Sequence, residues 1–137
     1  MSVRLLTSER LGPLFAIGAR WARALRNWRR ERHCTESELK GIALLREWLA
    51  PQQLAQFDAC GHFDVVGCHS GKKYRICYAS GTNVYELGSD GRRKAGWCFV
   101  PLDTLVAGDV VLAQKIALET DEWGALAVAR NFTPSWH

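Results

Sequence analysis

GHFDVVGCHSGKKYRICYASGTNVYELGSDGRRKAGWCFV, residues 61–100, is the stretch whose reading decides the fold. Phe63 and Val65 alternate with His62, Asp64 and Val66, and Tyr74, Ile76 and Tyr78 alternate with Lys73, Arg75 and Cys77. Tyr85 and Leu87 alternate with Val84 and Glu86, then Ala95, Trp97 and Phe99 with Gly96, Cys98 and Val100. Successive side chains of a strand point to opposite faces, so each run predicts a strand with one apolar side. Ser70-Gly71, Ser80-Gly81 and Asp90-Gly91 separate the runs and supply turn chemistry, which makes the whole a four-stranded antiparallel meander. Two-residue turns at the first two places set Ile76 opposite Tyr85 and Tyr74 opposite Leu87. A longer third loop sets Tyr85 against Trp97 and Leu87 against Ala95, gathering the aromatic pairs on one face. In this register Cys77 faces Asp64, and Cys98 shares a buried face with Cys77 and Val84.

Upstream the period lengthens from 2 to 3.6. Leu14, Ile17, Trp21, Leu25 and Trp28 recur at spacings of three and four after Gly12-Pro13, which predicts an amphipathic helix over 13–33. Thr35 and Glu38 form a T-x-x-E capping box that opens a second helix through Leu39, Ile42, Leu45, Trp48 and Leu49. Pro51 opens a short third helix carrying Leu54 and Phe57, which Gly61 closes. Downstream, Pro101 ends the last strand. From Asp109 the run Val110 to Leu118, interrupted only by Gln114 and Lys115, predicts a helix covered on more than one side, with Gly124 as its break. The expected architecture is α+β in one domain of 137 residues. It comprises a basic helical segment (1–33), helices (34–61), an antiparallel sheet (62–101) and a C-terminal helix and tail (102–137).

Charge is unevenly placed. The net +4 of the chain resolves into +6 over residues 1–33, from eight arginines and two glutamates, and −2 over the remainder. The positive potential therefore belongs first to the N-terminal segment. Lys72, Lys73, Arg75, Arg92, Arg93 and Lys94 form a second basic group near the sheet turns. The five cysteines (34, 60, 68, 77 and 98) are odd in number and form no CxxC pair, which fits reduced thiols in a cytoplasmic protein better than a secreted disulfide framework. Leu11 to Ala19 is too short and too interrupted for a signal sequence or a membrane span, which takes about 20 apolar residues.

The segments W-L-A-P-Q-Q (48–53), G-H-F-D-V-V-G (61–67), Y-R-I (74–76), N-V-Y-E-L (83–87), W-C-F-V-P (97–101) and G-D-V-V-L-A-Q-K-I-A-L-E-T-D-E (108–122) together resemble a recurring module of small uncharacterised bacterial proteins, some of them borne by mobile elements. The resemblance covers roughly the last 60% of the chain, from Trp48 to about Arg130. It implies a compact module and carries no catalytic or binding role.

Four groups of residues bear on chemistry. Cys60, His62, Cys68 and His69 are zinc-type donors, but Cys60 and Cys68 lie at opposite ends of a strand, more than about 20 Å apart at about 3.3 Å per residue. Thiols acting as small apolar groups, with surface histidines, is the favoured reading. A nucleophilic cysteine needs a base within reach. Cys98 reads as buried, and Cys68 and His69, as neighbours in a strand, should point apart. Glu119, Asp121 and Glu122, with Asp109 further back, could hold a cation, but a solvated helix end or an ion pair to the arginine-rich segment accounts for them more simply. The arginine-rich helix is the strongest signal, because guanidinium forks suit phosphate and the interleaved tryptophans suit stacking. Against it stands the reading that Trp21, Leu25 and Trp28 are core and the arginines an ordinary wet face.

From this the expected function is a non-enzymatic binding or adaptor protein that engages an anionic partner, nucleic acid or an acidic protein surface. The partner-binding residues are Arg20, Arg23, Arg26, Arg29, Arg30, Trp21 and Trp28, extended by Lys73 and Arg75. No motif calls for a cofactor, a metal or a catalytic residue. The alternative is an assembly subunit, in a homo-oligomer or larger complex, that uses some of its six tryptophans, Trp123 and Trp136 included. A cysteine- or metal-dependent enzyme is the least favoured reading.

Overall fold

A computed structural model of the protein describes residues 35–78, 83–100 and 105–134. The chain divides into two compact units, Met1–Cys34 and Thr35–His137. The helix expected over 13–33, with Arg20, Trp21, Arg23, Arg26, Trp28, Arg29 and Arg30, lies outside the described residues, and the second unit is described by itself.

Helix α1 spans Glu36–Trp48 and begins at the expected capping box. Thr35 N donates to Glu38 Oε2 at 2.6 Å, and Glu38 N donates to Thr35 Oγ1 at 3.3 Å, so two backbone donors that the helix cannot satisfy find acceptors. Helix α2 (Pro51–Cys60) starts at its proline and ends at Gly61, whose φ of +70° only glycine adopts cheaply.

Five strands follow the predicted order of four, then add one: β1 (His62–Val66), β2 (Lys73–Cys77), β3 (Val84–Leu87), β4 (Arg93–Cys98) and β5 (Arg130–Phe132). All neighbours are antiparallel, in the order β1-β2-β3-β4-β5. Helices α3 (Ala107–Thr120) and α4 (Glu122–Val128) intervene before β5. The break between them falls at Asp121, earlier than the expected Gly124, because the Asp121 carboxylate caps α4 by accepting from Gly124 N at 3.1 Å.

The registers correct the sequence reading at β3. Ile76 lies opposite Val84, Tyr74 opposite Glu86, Val84 opposite Trp97 and Glu86 opposite Ala95. Val84 and Glu86 therefore point inward, and Tyr85 and Leu87 occupy the other face, which reverses the predicted aromatic grouping. The inner places are held by Val84, fully buried, and by Glu86, whose carboxylate meets Lys72 Nζ at 3.1 Å. A buried ion-paired glutamate is invisible to a rule that sends apolar residues inward. Cys77 faces His62, not Asp64, and shares the outer face with Cys98, whereas Val84 is on the inner one.

The inner face packs on the helices. Phe63, Val65, Tyr74, Ile76 and Val84 of the sheet join Leu45 and Leu49 of α1, Val111, Leu112 and Leu118 of α3 and Ala125 of α4 in one apolar cluster. Within it Asn83 and Gln114 exchange two amide hydrogen bonds, 2.8 and 2.9 Å, so each satisfies the other's buried dipole. Helix α1 approaches α3 at Gly41 and Gly108, where a Cβ on Gly108 would collide with the Gly41 backbone. The free edge of β1 is tied to α2, since Gln56 Oε1 accepts from Asp64 N at 2.9 Å and Gln53 Nε2 donates to Asp64 O at 3.1 Å. No described helix is long and apolar enough to cross a membrane.

Candidate functional site

Charge separates by stretch of sequence within this unit. Residues 62–98 carry six Lys/Arg and three Asp/Glu, net +3, whereas residues 35–61 and 99–137 together carry four and nine, net −5. The surplus cations gather where β2, β3 and β4 end side by side, because Lys73, Leu87 and Arg93 are paired across the three strands. Lys72 and Arg92 sit in the flanking turns and Lys94 follows in β4.

These cations are not equivalent. Lys72 is engaged by the inward-facing Glu86 at 3.1 Å. Arg75 gives Nε and Nη2 to the two oxygens of Asp64 at 2.8 and 3.1 Å, a two-point pair that raises its already high pKa. Arg92 reaches Asp90 only at 3.8 Å. Lys73, Arg93 and Lys94 are exposed and form no ion pair among the described residues. The Arg93 guanidinium instead lies 4.0 Å over the Tyr85 ring, which meets Phe132 edge-on at 5.9 Å. Gly96 makes room for that ring, since a Cβ there would fall inside Phe132. A shallow depression lined by Gly88, Ser89, Asp90, Arg92, Arg93 and Lys94 opens at this end of the sheet. Its one carboxylate, Asp90, accepts from Arg92 N at 3.0 Å, which leaves a concave, cationic rim. Of the two sheet residues expected to bind a partner, Lys73 stands at the same end of the sheet, across Leu87 from Arg93, without lining the depression, and Arg75 lies further along β2, held by Asp64.

A second constellation forms at the β1–β2 turn. Glu122, the first residue of α4, is fully buried, and its carboxylate accepts four hydrogen bonds. Oε2 takes the backbone N–H of His69 (2.8 Å) and Ser70 (2.7 Å), and Oε1 takes the hydroxyls of Tyr74 (2.7 Å) and Ser70. Burial alone would raise its pKa, but these donors outweigh burial and hold it at about 2. The same bond, after burial, raises the pKa of Tyr74. Gly67 is required here, because any Cβ would overlap the carboxylate. Glu122 therefore clamps the turn onto α4.

The clamp brings Cys68 and His69 together, contrary to the expectation that they point apart. Strand geometry ends at Val66, and in the turn that follows Cys68 Sγ and His69 Nδ1 lie 3.2 Å apart. Glu122 N points at the same sulfur from 3.4 Å, and the imidazole stacks on Trp123 with centroids 5.7 Å apart and 25° between planes. Ligand atoms of Cys68, His69 and Glu122 lie within 4.8 Å of one another. Each Glu122 oxygen already accepts two hydrogen bonds, so a cation bound there would have to displace them. Cys60 and His62 stand at the other end of β1, as the spacing required.

The acidic residues 119–122 serve different ends. Glu119 pairs with Lys115 at 2.5 Å and accepts from Gln53, Asp121 caps α4, and Glu122 is the clamp. Sequence reasoning missed the clamp; its one signal was a glutamate at the first position of a helix after a capping aspartate. Comparison with protein-family models, curated proteins and solved structures finds no match.

Proposed function

We propose that the protein is a non-enzymatic binding protein that engages the phosphates of nucleic acid through two basic elements: the rim at the end of its sheet and the arginines at 20, 23, 26, 29 and 30. The observation that carries the reading is the rim itself, where Lys73, Arg93 and Lys94 project without a carboxylate partner among the described residues from a stretch (62–98) of net charge +3. Phosphate contacts of this kind position a polyanion without reading its sequence. The depression at Arg92, Arg93 and Lys94 is concave and supplies a guanidinium fork, which favours phosphate over the flatter array of carboxylates on an acidic protein.

The test is fluorescence anisotropy of a labelled oligonucleotide, single- and double-stranded, against the full chain at 0.05–0.2 M salt. The variant K73Q/R93Q/K94Q should weaken binding about tenfold or more with a nearly unchanged melting temperature. R20Q/R23Q/R26Q/R30Q tests the other element by itself and should abolish binding without unfolding the protein. Unaltered affinity in both variants, or tighter binding to polyglutamate than to the oligonucleotide, overturns the reading.

A second reading, self-assembly, is favoured by the 57% and 55% exposure of Trp48 and Trp123. It predicts a mass by light scattering that rises with protein concentration and falls back to the monomer in W48A. A strict monomer throughout contradicts it.

A further inference from the structure

The structure assigns a nucleophilic thiol to Cys68: we propose that Cys68 and His69 form a dyad that undergoes thiol–disulfide exchange with small disulfides, giving a mixed disulfide at Cys68. A reactive thiol needs exposure, a base in reach and stabilisation of the anion that forms. All three meet here. Cys68 is exposed, His69 Nδ1 lies 3.2 Å from Sγ, and Glu122 N directs its hydrogen at the sulfur from 3.4 Å. The geometry is built into the fold. The Glu122 carboxylate holds the backbone of His69 and Ser70, Cys68 N donates to Leu118 O at 3.1 Å, and Trp123 fixes the imidazole plane by stacking.

The other described cysteines lack this setting. Cys60 is exposed, but no imidazole lies within hydrogen-bond distance of its sulfur among the described residues, and burial raises the thiol of half-buried Cys77. In the exchange His69 Nδ1 accepts the thiol proton. The sulfur then attacks one sulfur of the disulfide, a new S–S bond forms as the old one breaks, and the departing thiolate takes up the proton. The sum of the oxidation states is unchanged, so the disulfide is the only co-reactant. Among the described residues Cys60 and Cys77 lie at the far end of β1, so the expected product is a mixed disulfide with the small thiol.

The experiment follows release of the coloured thiolate from 5,5′-dithiobis(2-nitrobenzoate) under single-turnover conditions, with the modified residue identified by peptide mass. Cys68 should react about tenfold or more faster than Cys60 in the same molecule, and H69Q should remove that advantage while leaving the Cys60 rate unchanged. Added imidazole should restore part of the lost rate in H69G. Slow labelling of Cys77 in every variant reports that the fold is intact; if H69Q exposes Cys77, W123A, which frees the imidazole without removing it, gives the same comparison. Equal rates at Cys68 and Cys60 in the wild-type protein, or an H69Q rate equal to wild type, overturns the proposal.

Discussion

Replacing Glu122 by Gln keeps the shape of the side chain and removes its charge. Gln has one acceptor oxygen, which must serve the two backbone N–H groups of His69 and Ser70, since these cannot turn away. Its amide then faces the hydroxyls of Tyr74 and Ser70, which can rotate to accept. Four charge-assisted bonds become neutral ones, at a loss of about 1 kcal/mol each, partly offset because a neutral amide is cheaper to bury than a carboxylate. The lowered pKa of Glu122 gives a second route to the number. A pKa lowered from 4.5 to about 2 in a side chain with no exposed surface corresponds to about 3 kcal/mol. Because the folded-state pKa lies below the unfolded one, this stabilisation is complete above about pH 4.5 and is lost as the pH falls toward 2. Urea denaturation of wild type and E122Q should therefore differ by about 3 kcal/mol at pH 7 and converge near pH 2–3. A difference under about 0.5 kcal/mol at pH 7, or one that persists unchanged at pH 2.5, refutes the clamp.

Three further substitutions probe the packing. Gly108→Ala places a methyl against the Gly41 backbone and should cost about 1–3 kcal/mol by forcing α1 and α3 apart, read as a lower denaturation midpoint with unchanged slope. Asn83→Leu or Gln114→Leu strands the partner amide in the core and should cost about 2–4 kcal/mol alone, whereas the double variant should cost less than the sum of the two; strict additivity would show that the pair does not act as a unit.

Much of the architecture was legible from local chemistry. The capping box at Thr35, the proline start at Pro51 and the glycine stop at Gly61 each act through backbone groups a few residues away, so sequence alone places α1 and α2. Alternation located four strands but misjudged the face of β3, because Glu86 is turned inward by Lys72, a partner across the sheet that no local pattern reveals. Strand β5 is three residues long and has no period to detect; it exists because Gly96 opens a place for Phe132 beside β4. The basic residues at the sheet turns were visible, but their sorting into Arg75 held by Asp64 and Lys73, Arg93 and Lys94 at the rim depends on register. The Cys68–His69 pair was misread for a related reason. Strand alternation sends neighbours apart, and here the strand ends two residues earlier, at Val66.

The most direct examination of the binding account is the salt dependence of oligonucleotide affinity. The logarithm of the association constant should fall linearly with the logarithm of salt concentration, and K73Q/R93Q/K94Q should flatten that slope by about 2, since each of three lost phosphate contacts removes about 0.7 for a single strand. A wild-type affinity indifferent to salt, or a slope that the triple substitution leaves unchanged, would contradict the account.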